Sequence, residues 1–369
     1  MSLVFLMSEL SPYHVACLNA LQRQWNGRIV ALEAFGKGSH SYDDSKYDLA
    51  QFEVHTACKT AAEASTFREI PFLHSHLLAV RPKYLLLSGW RYPWFFYAAA
   101  LGRALGSQMM AMSDTRWEDR RRWPLKEFMK RATLPLLVPS IFVPGERAAD
   151  YARTLGYREE RVHQGLYAID TGYYAREAAA ARAERDYWRQ RLSLPQNFFL
   201  FSGRFSPEKN ISGLLEAYIR YHEKVSEPWS LVMLGDGPLR SEVVAGGIPG
   251  VIAPGFVQLD LVPRYLGLAS VFVLASHMDP WPLVVLEAAA AGLPLLVSEN
   301  CGVSVELVGD DDGWVFEPSD IEHLASLMEE IATGVFDLKR MGACSAGRAK
   351  RYDAGQWAET VISWMEHFA

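Results

Sequence analysis

The sequence lacks any uncharged apolar run of about 18 or more residues, so no membrane span is expected. It holds few cysteines. Cys17, Cys58, Cys301 and Cys344 are scattered over 369 residues with no Cys-x-x-Cys pair. That spacing argues against a disulfide framework and a zinc site, and for reduced thiols in the cytoplasm. The opening Met1–Met7 has no basic flank before its apolar residues and runs directly into Ser8-Glu9, so it reads as a buried strand and not a signal peptide. There is no P-loop and no GxSxG elbow, which removes the motif basis for an NTPase or an esterase-type hydrolase. The run Gly235-Asp236-Gly237-Pro238-Leu239-Arg240 begins like a dinucleotide fingerprint, but Arg240 stands where the third glycine is needed. It reads as a tight turn after a strand. Internal repeats and low-complexity tracts are also missing.

What is present is an ordinary globular composition, 50% apolar and 22% charged, in a chain long enough for two α/β domains. Charge is uneven. Residues 1–168 carry 21 Lys/Arg against 16 Asp/Glu, whereas 169–369 carry 16 against 27, so the two halves are suited to different partners. Short apolar runs alternate with helical stretches, the pattern of parallel sheets covered on both faces. The strands expected are 3–7, 28–32, 84–88, 109–112 and 141–144, then 198–202, 230–234, 250–253, 271–275 and 295–298. A turn-like segment after Gly165 and a helical run to Arg191 place the join near 168–184. The expected domains are 1–168 and 169–355, with a C-terminal amphipathic helix within 356–369 that packs back on the first domain.

Two loops of the second half stand out. Strand 198–202 ends at Gly203, and Arg204 and Lys209 follow before a helix expected from Ile211. Cations beside free helix N–H groups suit a diphosphate, although two solvated surface charges would read the same way. Farther on, Asp279-Pro280-Trp281-Pro282 leads through Leu283 and Val284 to Glu287 and an Ala-rich helix. The spacing expects Glu287 at a helix N-terminus, where it is either a cap or an acceptor for both hydroxyls of a ribose. Asp279 would accept from a sugar hydroxyl, and the Leu283 and Val284 N–H groups would meet a phosphate. A nucleotide sugar has all of these groups.

The pair Asp279-x7-Glu287, followed by the Ala-rich helix and Gly292-Leu293-Pro294, resembles the Glu-x7-Glu signature of family-4 retaining glycosyltransferases. Gly203-Arg204, Lys209-Asn210, Leu234–Pro238, Gly255-Phe256-Val257, Glu306 and Asp312–Pro318 agree with that family in order. The resemblance covers most of the second half; the first matches in strand order and in Ser8–Val15. It implies the GT-B fold, with two facing Rossmann-like doubly wound parallel-sheet domains and a cleft between them. It implies a hexosyltransferase that moves a sugar from a nucleotide-diphosphate donor to a glycan, glycolipid or small-molecule hydroxyl. It assigns catalysis to Arg204, Lys209 and Asp279, and donor binding to Glu287, Leu283, Val284, Gly203 and Val257. His14 and Asp114 become candidates on the acceptor side. The sequence departs from the family in having Asp279 for the first Glu, Pro280 for a common Gly, no Gly-Gly in Ser11–His14, and Ser113-Asp114 where a His is usual. An epimerase or phosphorylase on the same fold, and a non-catalytic binding subunit, are the alternatives.

Asp310-Asp311-Asp312 looks like a metal-binding DxD but sits in a hydrophilic turn, and Arg204 with Lys209 can neutralise a diphosphate instead. No metal or other cofactor is therefore expected. Residues 116–137 carry seven basic and three acidic residues interleaved with Trp123, Leu125, Phe128, Met129 and Leu134. They form either a solvated helix with core anchors or a weak peripheral membrane contact suited to a lipid-linked acceptor. The acidic chain without a recognisable nucleic-acid motif excludes a nucleic-acid partner. His74, His76 and His163 lack metal-ligand spacing.

Overall fold

A computed structural model describes residues 1–37, 49–119, 121–245 and 247–368. The chain divides into two units, Met1–Asp170 with Tyr352–Ala369, and Thr171–Arg351.

The first unit is built on seven parallel strands: β1 (Ser2–Met7), β2 (Arg28–Lys37), β3 (Glu53–Thr60), β4 (Tyr84–Ser88), β5 (Gln108–Met112), β6 (Ser140–Val143) and β7 (Val162–Gln164). Their order is β3-β2-β1-β4-β5-β6-β7. Successive residues of β1 go to opposite faces. Val4 and Leu6 join one apolar core with Trp94 and Phe95. Leu3 and Phe5 join the other, with Leu18, Trp357 and Trp364. Both faces are therefore covered, as a parallel sheet requires.

The C-terminal helix Ala354–Glu366 supplies part of that second core. Trp357 sets its ring 6.2 Å from Phe5, and Tyr84 Oη donates to the Met365 carbonyl at 3.1 Å. The returning chain is stitched to Ile169 at both sides: Ile169 N–H donates to Tyr352 O and Ala354 N–H to Ile169 O. Asp353 caps the helix through Gly355 N–H at 2.8 Å.

The second unit holds six parallel strands: β8 (Phe198–Ser202), β9 (Ser230–Leu234), β10 (Val251–Gly255), β11 (Val271–Leu274), β12 (Leu295–Ser298) and β13 (Gly313–Phe316). The order is β10-β9-β8-β11-β12-β13. Strand order reverses at β1/β4 in one sheet and at β8/β11 in the other. In an open parallel sheet the loops leaving such a switch point diverge, and the crevice between them is where ligands bind. Among the described residues no helix is long and apolar enough to cross a membrane.

Candidate functional site

Both loops singled out in the second half leave the β8/β11 switch point. Every residue of β8 and β11 is buried, so their C-terminal ends are rigidly placed. From β8 the chain passes Gly203 and exposed Arg204, makes a single 3-10 turn over Pro207–Lys209, and enters helix Ile211–Lys224. Asn210 sits between the two helical pieces in the left-handed conformation, φ 54° and ψ 46°, which Asn tolerates better than most residues. Its buried side chain donates to Pro318 O at 2.8 Å and ties the loop to the segment after β13.

The turn after β9 supports the Arg204 loop. Gly203 N–H donates to Leu234 O, Phe205 N–H to Asp236 O, and Leu239 N–H to Phe205 O, all near 3 Å. A Cβ on Gly235 would lie 1.9 Å from Gly203 O, at φ 143°. Glycine is required there because two backbones touch. Gly235–Gly237 is therefore the brace of the cationic loop, in keeping with its reading as a turn.

From β11 the chain runs through Ser276 to Asp279, and His277 N–H donates to Glu208 O at 2.9 Å. That bond joins the two switch-point loops directly. Asp279 is 8% exposed. It pairs with Cys301 in an isolated parallel bridge, and Gly302 N–H donates to Asp279 O at 2.8 Å. A Cβ on Gly302 would fall 1.7 Å from Pro280 O. Burial pushes the Cys301 thiol up to about 12, and the neighbouring Asp279 charge adds to it, so Cys301 is packing and not a nucleophile.

Lys209 Nζ donates to Asp279 Oδ2 in an ion pair that is mostly out of water. The cation expected on a phosphate and the carboxylate expected on a sugar thus hold one another. Arg204 makes no side-chain hydrogen bond among the described residues.

Helix Leu283–Ala290 begins four residues earlier than the spacing suggested. Glu287 does not start the helix; it lies in its second turn, 2% exposed. Pro282 precedes the first turn, so the helix begins where proline's missing N–H costs nothing, and the Leu283 and Val284 N–H groups have no intrahelical acceptor. A capping role for Glu287 is thereby removed, since a cap must lie at the first turn. Val257 follows β10 and is half-buried.

The remaining candidates lie elsewhere. Asp312 is fully buried, ion-paired to Arg348 and accepting from Gly309 N–H, and Asp311 meets Arg340 at 3.3 Å. Among the described residues no group of three or more His, Cys, Asp or Glu side chains is placed to hold a metal ion. In the first unit, Ser11 caps helix Pro12–Gln24 in a box with His14. Ser11 N–H donates to His14 Nδ1 at 3.1 Å, and His14 N–H to Ser11 Oγ at 3.3 Å. Asp114, after β5, accepts from Tyr167 Oη at 3.0 Å. Sequence reasoning missed His277 and Gly302. They act through backbone groups, which leave no mark in residue type except the glycine itself.

Among solved structures, Anabaena Alr3699/HepE in complex with UDP aligns over 100% of both chains with a TM-score of 0.76 at 14% identity. A sucrose-phosphate synthase from Thermosynechococcus elongatus aligns over 100% of this chain and 99% of its own, TM-score 0.74, also at 14% identity. The fold is GT-B. Within this GT-B chain, residues 184–343 match the model of the family described as glycosyl transferases group 1. O-antigen chain mannosyltransferase B of Escherichia coli is 31% identical over 184 residues, 48% of this chain and 47% of its own. A UDP-Gal:alpha-D-GlcNAc-diphosphoundecaprenol alpha-1,3-galactosyltransferase of Escherichia coli is 29% identical over 173 residues, 45% of each. The chain spans about a third to a half of the length of the curated relatives it matches first. Arg204, Lys209, Asp279 and Glu287 all fall inside the matched segment 184–343.

Proposed function

We propose that the protein is a retaining hexosyltransferase that moves a sugar from a nucleotide-diphosphate donor to an acceptor hydroxyl, without a metal. The observation that carries this reading is the convergence of the cationic loop and the Asp279–Glu287 segment at the β8/β11 switch point, joined there by the Lys209–Asp279 ion pair. It is supported by the match to group 1 glycosyltransferases over that stretch and by a structural neighbour that holds UDP.

In this reading Glu287 takes the ribose hydroxyls and the Leu283 and Val284 N–H groups take phosphate oxygens, with Gly203 and Val257 lining the donor. Asp279 takes a sugar hydroxyl. The bond from the anomeric carbon to the leaving diphosphate breaks, and the bond to the acceptor oxygen forms on the same face. The acceptor proton passes to a leaving phosphate oxygen. No protein nucleophile is needed, so the enzyme acts by positioning and by balancing charge. Arg204 and Lys209 supply that balance. The acceptor is a glycan or lipid-linked sugar at the cytoplasmic side, with His14 and Asp114 as its candidates.

The first test is a thermal-shift series with UDP, GDP, ADP, TDP and CMP, since a bound ligand raises apparent stability by mass action. One nucleoside diphosphate should stabilise the protein, and its sugar conjugates should then be turned over. Arg204→Ala should lower turnover by roughly 10²–10³, the size of losing an oxyanion donor. EDTA should leave the rate unchanged. Wild-type turnover in Arg204→Ala, or an absolute need for a divalent cation, would refute the charge-balance role. An epimerase or a binding subunit would show no transfer of label to any acceptor.

A further inference from the structure

Helix Pro124–Leu137 presents its apolar side outward. Leu134 is its only buried residue. Leu125, Phe128, Met129 and Leu136 are 71%, 68%, 52% and 73% exposed. At about 100° per residue they fall on one stripe, opposite Leu134. Trp123, at the position before the helix, and Trp117, six residues farther upstream, are also exposed. The expected core anchors, Leu134 excepted, are thus not in the core.

The basic residues of the segment split into two groups. Arg122 and Lys130 turn inward to Glu127 and the Tyr151 ring, with Lys130 2.8 Å from Glu127, and Arg116 is spent on Asp119 at 2.9 Å. Arg121, Lys126 and Arg131 are exposed and form no ion pair among the described residues. Arg120 lies outside the described residues. A solvated structural helix would need neither the apolar stripe nor the unpaired cations beside it.

We propose that this outward face, with Trp117 and Trp123, docks on an anionic lipid bilayer. Apolar side chains on the stripe would enter the acyl boundary, the indoles would sit at headgroup level, and Arg121, Lys126 and Arg131 would meet lipid phosphates. A second copy of the chain is a poorer occupant, because a symmetric contact through this stripe would bring the same unpaired cations together. The proposal stands apart from the transfer reaction and does not depend on it.

The test is co-sedimentation of the full chain with vesicles of phosphatidylglycerol and phosphatidylcholine, or of phosphatidylcholine alone. The wild-type protein should pellet with the anionic vesicles at low salt and be released at high salt. Each Lys or Arg near such a surface raises partition about fivefold, so Lys126→Gln with Arg131→Gln should lower it roughly 25-fold. Leu125→Glu with Phe128→Glu should abolish it. All four positions are exposed, and unchanged circular dichroism will confirm that the variants fold. Wild-type protein left in the supernatant with anionic vesicles would overturn the proposal, as would variants that partition like wild type. So would a wild-type dimer that the Leu125→Glu, Phe128→Glu variant converts to monomer, since the face would then belong to a second copy.

Discussion

Breaking the Lys209–Asp279 pair from the carboxylate side, with Asp279→Asn, should make the protein less stable and less active without weakening its hold on a free nucleoside diphosphate. The side chains of this pair are 19% and 10% exposed. A fully buried pair loses about 3–5 kcal/mol when one partner is removed, and an exposed one about 0.2–1 kcal/mol. The observed burial lies nearer the first limit, but an Asn amide oxygen still accepts from the lysine. Asp279→Asn should therefore cost about 2 kcal/mol. For a unit the size of Thr171–Arg351 that corresponds to a fall in Tm of roughly 4–8 °C. Lys209→Met should cost at least as much, because it leaves the more buried carboxylate without its cation. The double variant should then show a coupling energy of about 1–2 kcal/mol.

The same cycle bears on function. If Lys209 exchanges Asp279 for a phosphate when donor binds, the carboxylate competes with the ligand. Asp279→Asn should then bind the nucleoside diphosphate as tightly as wild type or more tightly, whereas Lys209→Met should bind it less tightly. Turnover should fall in both. Calorimetry on the two variants, beside thermal unfolding of the full cycle, reads each quantity separately. A coupling energy near zero would show that the pair is not formed in solution. Weaker binding in Asp279→Asn than in Lys209→Met would reverse the assigned roles.

Glu287→Gln should weaken nucleoside diphosphate binding by roughly tenfold or more, because a neutral amide is a poorer acceptor for two hydroxyls than a carboxylate; titration calorimetry would show it, and an unchanged affinity would remove Glu287 from the ribose site. Gly235→Ala should destabilise the second unit by about 2–4 kcal/mol and depress turnover, since its Cβ would meet Gly203 O at 1.9 Å and displace the Arg204 loop; a variant with wild-type Tm would show that the two backbones are not in contact. Of the four thiols only Cys344 should react with a thiol reagent at neutral pH in the folded protein, because Cys17, Cys58 and Cys301 are buried, and all four should react in denaturant. The sign of the linkage follows from the raised Cys301 value: a thiol that ionises near 8.5 when unfolded and near 12 when folded contributes stability below about pH 8.5 that is lost as pH rises toward 12. Cys17, raised by burial and then by the Asp353 charge, acts in the same direction. Stability rising over that alkaline range would refute the burial of both thiols.

The strands that the sequence pattern missed are β3, β7 and β13, and each lies at the edge of its sheet. A central strand such as β8 is buried at every position and so reads as the unbroken apolar run Phe198-Phe199-Leu200-Phe201. An edge strand has solvent on one flank and needs no such run. β3 reads Glu53-Val54-His55-Thr56-Ala57-Cys58-Lys59-Thr60, with Cys58 its only buried residue. The site divides by the same logic. Arg204, Lys209, Asp279 and Glu287 could be picked out as candidates because charge is costly next to apolar strand ends and stands out in the sequence. The start of helix Leu283–Ala290 was not, because Leu283, Val284, Val285 and Leu286 carry no capping residue, and the Pro-rich turn before them could lead equally to a strand. What most changes the chemistry, the Lys209–Asp279 pair, joins residues 70 positions apart and depends on the β8-β11 pairing. Each residue alone reads as a ligand group. Only their contact shows that each satisfies the other, so that in the proposed reaction a diphosphate would take Lys209 from a partner it already has. Selectivity can arise from that exchange, because a ligand too weakly charged to replace a carboxylate would leave the pair closed.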